Sequence, residues 1–216
     1  MYFSPALSTV FVHVPKTAGT SIMRAFEGVA DDVELVGRKH DGVRSKSFRS
    51  LPKDATTFAV TRDPYDRCLS WYGMVLRTSS TAISGEPTKF RRLCDELAAA
   101  GSLNNFVSML LDDYGEHGEK GRFRLIGRPQ TYYLTRKDSG PIHVDQLLRF
   151  ESLEADISQF FSSIRTQEEV SLPALNSSWW QRKQIDLDSA SKTLIEALYE
   201  EDFERFSYAR VSDSPG

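Results

Sequence analysis

Between Thr9 and Phe26 the chain reads Thr-Val-Phe-Val-His-Val, then Pro-Lys-Thr-Ala-Gly-Thr, then Ser-Ile-Met-Arg-Ala-Phe. The first run is β-branched and aromatic apart from His13 and stops at Pro15, which predicts a short buried strand over Thr9–Val14. Ser21 to Phe26 has helical character, so the loop Pro15–Thr20 carries the chain directly from strand to helix. Strands that feed helices through short loops belong to α/β folds, in which crossover helices cover a largely parallel sheet.

The remaining pattern repeats that alternation. Val33–Val36 and Thr56–Thr61 read as strands. After the second comes Arg62-Asp63-Pro64, with Asp63 suited to an N-cap and Pro64 to the first helical position of a helix running through Cys68, Trp71, Tyr72 and Leu76. Thr78–Thr88, rich in Ser, Thr, Gly and Pro, predicts a surface loop. Helices are expected over Phe90–Ala100 and Leu103–Leu111, followed by a polar loop over Gly115–Gly121. Val144–Phe150 reads as a late strand and Leu153–Ile164 as an amphipathic helix. The tail Asp188–Phe206 reads as helix, with Leu194, Ile195, Leu198 and Phe203 on roughly one face. No internal repeat or linker interrupts this order. The expectation is one domain over residues 1–216: an α/β, three-layer, P-loop-like domain with a central, mostly parallel sheet flanked by helices.

Charge and cysteine content narrow the function classes. With 27 basic and 30 acidic side chains the net charge is −3, which argues against nucleic acid as the main partner, since phosphate backbones demand a basic excess. Cys68 and Cys94 are the two cysteines, neither in a CxxC, and they are expected as free, buried thiols. No Cys/His cluster has metal-ligand spacing, so no metal site is expected. No stretch approaches the ~18 apolar residues of a membrane span. Met-Tyr-Phe-Ser-Pro lacks the features of a secretory leader. The sequence therefore reads as that of a soluble, cytoplasmic protein.

Pro15–Ser21 has the chemistry of a phosphate cradle. Unpaired backbone N–H groups at a helix N-terminus face an anion, and the helix dipole adds favourable potential. Gly19 allows close approach of the backbone, Thr17, Thr20 and Ser21 offer hydroxyls, and Lys16 offers a positive charge. In a Walker A loop the Lys stands between the last Gly and a Ser/Thr whose hydroxyl holds magnesium. Here Lys16 precedes Gly19, at the strand end of the loop. A plain capped turn accounts for Gly19, Thr20 and Ser21 but leaves Lys16 unexplained.

A second anion site is expected at Arg62, at the end of a strand, with Ser70 two helical turns later. Two such sites at two strand ends suit a ligand phosphorylated at two separate places, as 3′-phosphoadenosine-5′-phosphosulfate (PAPS) is. The chain also closely resembles the PAPS-dependent sulfotransferases, in particular the carbohydrate sulfotransferase type and its bacterial relatives. Their 5′ loop, Pro-Lys-Thr-Ala-Gly-Thr-Ser, is matched without change by Pro15, Lys16, Thr17, Ala18, Gly19, Thr20 and Ser21. Their 3′ motif is matched by Arg62, Asp63, Pro64, Arg67, Ser70 and Tyr72, and their Lys-His pair by Lys39-His40. Weaker similarity continues through Gln130, Tyr132-Tyr133-Leu134, Arg149–Asp156, Leu172–Asn176 and Tyr199–Tyr208. The membrane anchor and stem of the Golgi members have no counterpart here.

The resemblance implies sulfuryl transfer from PAPS to a hydroxyl of a carbohydrate or small-molecule acceptor, in line and without a metal. Pro15–Ser21 would hold the 5′-phosphate and Arg62 with Ser70 the 3′-phosphate, with Lys16 neutralising the leaving oxygen. A base is also required, and four histidines are available. His40, after a strand and in the family's Lys-His, is the candidate; His13, inside a strand, is expected to be packed and is next in line. His117 and His143 read as surface residues. Two other readings stay open: a P-loop kinase of a small metabolite, and a binding module for PAPS or adenosine bisphosphate that does no chemistry. The acceptor and the oligomeric state are not legible.

Overall fold

The strand before Pro15 forms over Thr9–Val12 (β2), and it is not the first strand. Tyr2–Ser4 (β1) precedes it and pairs with it antiparallel, Tyr2 opposite Phe11 and Ser4 opposite Thr9. The computed structural model describes residues 1–137, 140–164 and 187–211. After β2 come α1 (Gly19–Val29), β3 (Glu34–Leu35), the single turn α2 (Lys46–Arg49) and β4 (Thr56–Thr61). Then follow α3 (Pro64–Ser80), α4 (Lys89–Ala98), α5 (Leu103–His117) and the short α6 (Arg124–Gly127) and α7 (Thr131–Leu134). β5 (Gln146–Arg149), α8 (Leu153–Ile164), α9 (Ser189–Leu198) and α10 (Glu200–Phe206) complete the described chain.

The sheet order is β3-β1-β2-β4-β5. β4 lies parallel to β2 and to β5, whereas β1 is antiparallel to both of its neighbours. Four strands therefore share one direction and β1 alone opposes them. This is the α/β fold that the alternation of strands and helices predicts, with a mixed, mostly parallel sheet flanked by helices.

The chain divides into two compact units, Met1–Asp63 with Gln130–Asn176, and Pro64–Pro129 with Ser177–Gly216. The first contains the whole sheet. Period-2 alternation places Phe11, Phe58 and Val60 on one face, where Ile22 and Phe26 of α1 and Ile157, Phe160 and Phe161 of α8 join them in one buried cluster. Phe11 and Phe58 stand directly opposite each other, ring centroids 5.0 Å apart, and Phe160 meets Phe58 at 4.5 Å. Each such ring contributes about 1.5–3 kcal/mol by leaving water. That burial fixes the ends of β2 and β4, from which the loops of interest depart.

The second unit is helical. α5 packs against α9, α3 against α4, and Tyr72 meets Phe106 at 5.1 Å. Arg67 of α3 is wholly buried; it donates to Arg128 O at 3.0 Å, and Asp202 of α10, equally buried, lies 3.9 Å away. Cys68 and Cys94 are both free and buried, and burial pushes the Cys68 thiol up to about 12. These are the inert thiols that the cysteine count suggests.

Several boundaries differ from the sequence reading. α5 runs past Leu111 to His117 and stops where Gly118 takes φ 52°, so Gly115 and His117 are helical and only a single 3₁₀ turn fills the expected loop. α3 continues to Ser80, shortening the expected surface loop. The tail helix breaks at Tyr199 into α9 and α10, with Ile195, Leu198 and Phe203 buried and Leu194 partly exposed. Among the described residues no helix is long and apolar enough to cross a membrane.

Candidate active site

β2 delivers the chain to the loop at Val14, and the loop's shape is set by unusual backbone angles. Lys16 has φ 71° and Ala18 has φ 62°, both in the left-handed region that residues with a β-carbon seldom enter. Alternation of φ sign across residues 16–18 is the pattern from which anion-binding backbone nests are built. Thr17 is fully buried and its hydroxyl donates to Val14 O at 2.9 Å, locking the turn from below. The hydroxyl is thus occupied within the loop. Ser21 N and Ile22 N donate to Ala18 O at 2.9 and 3.1 Å, starting α1.

The N-terminus of α1 suits an anion. Ala18 at the cap supplies no side-chain hydrogen bond, and the first turn holds no acidic residue. The positive end of the helix dipole is thus left uncompensated by the helix's own side chains. Gly19 is required for a second reason besides anion approach. A β-carbon there would lie 1.7 Å from His13 Nε2, so the imidazole occupies the space that any other residue would need.

β2 ends at Val12, so His13 stands just past the strand rather than inside it, but it is packed as expected, at 4% exposure. Its ring stacks on Phe11 at 5.3 Å and meets the His40 ring edge-on at 4.5 Å. Burial, followed by the charges of His40 and Lys39, holds its pKa well below 6.5, so the ring is neutral. Its Nδ1 is buried and makes no hydrogen bond to any of the described residues.

His40 stands in the loop after β3. The loop is braced by Asp41, which accepts from Arg38 N at 3.0 Å, and by Val43 N, which donates to Tyr133 O at 2.9 Å. Gly42 passes so close to Tyr133 that a β-carbon would lie 2.5 Å from its carbonyl oxygen. His40 Nδ1 lies 3.1 Å from His13 O. A carbonyl only accepts, so Nδ1 carries the proton and Nε2 of the neutral ring is the basic nitrogen.

Arg62 follows β4 and reaches the same loop. Its Nη1 donates to Lys16 O at 3.1 Å, and its guanidinium lies 4.0 Å from the centre of the Phe150 ring. Gln130 grips the Arg62 main chain at both ends: Arg62 N donates to Oε1 at 2.9 Å, and Nε2 donates to Arg62 O at 2.8 Å. Gln130 is fully buried. Spacing and charge give no hint of this role; the resemblance includes Gln130, but its grip on Arg62 exists only once the fold brings it to β4. Ser70, on the second turn of α3, is buried and belongs to the second unit.

The sequence-level comparison decides what this loop geometry belongs to. A family model described as the sulfotransferase family matches residues 1–209. The chain belongs to the sulfotransferase family. No curated protein and no solved structure matches it significantly. The match runs through both units and includes Lys16, His40, Arg62 and Ser70.

Within this sulfotransferase the other two histidines stand elsewhere. His117 closes α5 in the second unit, exposed and 3.8 Å from Asp113. His143 lines a cavity of about 730 Å³ with Phe48, Lys53 and Arg136, at the strand ends opposite to the phosphate loop. His143 therefore does not share the loop's surroundings. Among the described residues no group of three or more His, Cys, Asp or Glu side chains could hold a metal ion. Trp179-Trp180, which the sequence offers equally as a core anchor or an acceptor platform, Arg182-Lys183, which reads as a solvated charge pair before a cover for the 3′-phosphate, and the Leu172–Asn176 segment lie outside the described residues.

Proposed function

We propose that this sulfotransferase moves a sulfuryl group from PAPS to a hydroxyl of a carbohydrate or small-molecule acceptor, without a metal. One observation carries the donor assignment: Arg62, after β4, donates to the main chain of Lys16, in the loop after β2. The two basic residues that the sequence assigns to different phosphates thus belong to neighbouring strand ends, as a donor phosphorylated at both the 5′ and 3′ positions requires. The single family match across both units supports reading the chain as one catalytic domain.

PAPS supplies an activated sulfuryl group whose departure leaves a phosphate oxyanion. The N–H groups of Thr17 to Thr20, with the hydroxyls of Thr20 and Ser21, hold the 5′-phosphate at the positive end of α1. Pro15 fixes the entry to the loop, and the left-handed turns at Lys16 and Ala18 aim its amides. Arg62 and Ser70 hold the 3′-phosphate, Arg62 with its main chain gripped by Gln130. The Lys16 ammonium neutralises charge on the bridging oxygen as the sulfur–oxygen bond breaks. His40, its Nδ1 proton committed to His13 O, takes the acceptor's hydroxyl proton on Nε2.

A kinase reading asks for magnesium, and the Pro15–Ser21 loop lacks the Walker Lys-Ser/Thr that would help to hold it. Turnover measured with PAPS over a panel of sugars, phenols and aliphatic alcohols is expected to add a sulfuryl group to at least one of them, and to survive excess EDTA. Activity with ATP that EDTA abolishes and magnesium restores would replace this reading by the kinase one.

A further inference from the structure

The buried imidazole of His13 has no part in the chemistry just described, yet it touches both halves of it. On one side it fills the space against Gly19, so closely that an added β-carbon would sit 1.7 Å from Nε2. On the other it meets the His40 ring edge-on, centroids 4.5 Å apart, while its own carbonyl accepts a hydrogen bond from His40 Nδ1. Phe11 and Tyr2 back the ring at 5.3 and 6.2 Å, so it cannot retreat from either contact. A phenylalanine would fill such a slot without burying a nitrogen that makes no hydrogen bond to any of the described residues. The slot therefore has a requirement other than stability.

We infer that the His13 side chain is a positioning residue, which sets the spacing between the phosphate loop at Gly19 and the ring of His40. The inference rests on the reading of His40 as the base. A flat five-membered ring lets the loop backbone pass over one side while His40 stands against another. A bulkier ring pushes Gly19 outward, and a smaller side chain lets both the loop and His40 drift. Neutrality, enforced by burial, keeps a second positive charge away from His40.

A double-variant cycle tests this. Gly19→Ala drives a methyl group into the ring and is expected to weaken binding of adenosine 3′,5′-bisphosphate by roughly 10–100-fold, as overpacking does. His13→Ala is expected to weaken it only a few-fold but to slow single-turnover transfer by roughly tenfold or more, because His40 loses its backing. The combined variant removes the collision, so it regains most of the affinity lost in Gly19→Ala, with transfer still slow. In the unliganded protein, nitrogen NMR signals of His40 report a protonated Nδ1, and His13→Ala shifts them toward a tautomer mixture.

Losses that merely add in the combined variant, or a His40 signal unmoved by His13→Ala, overturn the inference. His13→Leu fills the buried volume and carries the His40 readings should the alanine variant not fold. An unsubstituted protein that ignores adenosine 3′,5′-bisphosphate refutes the donor assignment instead. The unliganded His40 signal then still decides the role of His13.

Discussion

His40→Ala is expected to lower kcat by roughly 10²–10⁴, the usual worth of a general base, while leaving affinity for adenosine 3′,5′-bisphosphate nearly unchanged. The separation follows from where the ring stands. His40 is held in the loop after β3 with its Nδ1 against His13 O, and in the proposed mechanism it acts on the acceptor rather than on the donor's phosphates. The pH profile carries a second signature. A base must be unprotonated to accept the acceptor's proton, so the rate of the unsubstituted enzyme is expected to fall toward acid pH. His40→Ala should lose that acidic limb. Steady-state kinetics over a pH series, with calorimetry of the bisphosphate, read both effects. A variant with full activity and an intact acidic limb would remove His40 from the mechanism.

Lys16→Ala should behave differently, because in the proposed mechanism one ammonium serves both the bound donor and the departing oxygen. Loss of a group that stabilises a developing oxyanion costs roughly 10²–10³ in rate, and here PAPS affinity should fall as well. Lys16→Arg keeps charge but changes its shape and reach, so it should restore binding more fully than transfer. Single-turnover transfer and donor affinity, measured side by side for both variants, separate the two contributions. A Lys16→Ala enzyme that binds PAPS normally and turns over normally would contradict the assignment.

Much of this site can be read in the sequence because its chemistry is local. Pro15–Ser21 is one contiguous loop whose Gly, Lys and hydroxyl residues carry the phosphate-cradle reading by themselves, and β2 and β4 are marked by dense β-branched and aromatic runs. The features that escaped are those that depend on distant residues or on very short elements. β1 spans three residues and closes on Pro5, too short to show a period. Its antiparallel pairing comes from the register with Phe11 and Leu35 rather than from its own composition. Gln130 acquires a role only when the fold sets its amide beside Arg62, 68 positions away in the chain. Gly19 looks like a loop glycine, and the sequence explains it by anion approach or by an ordinary turn. The larger constraint is the imidazole of His13 pressed against it. His40 could be named from its place after a strand and from the Lys-His resemblance, but its tautomer required the carbonyl of His13.

The account stands on a donor held at two phosphates, and calorimetry with adenosine 3′,5′-bisphosphate and AMP tests that most directly. The two ligands share the adenosine and the 5′-phosphate and differ in the 3′-phosphate assigned to Arg62 and Ser70. Each charge-assisted hydrogen bond to that group is worth about 1.5–3 kcal/mol before offsets, and about 1.4 kcal/mol corresponds to tenfold in affinity. The bisphosphate should therefore bind at least about tenfold more tightly than AMP, and Arg62→Ala should bring the two dissociation constants close together. Equal affinity of the unsubstituted protein for the two ligands would contradict the account.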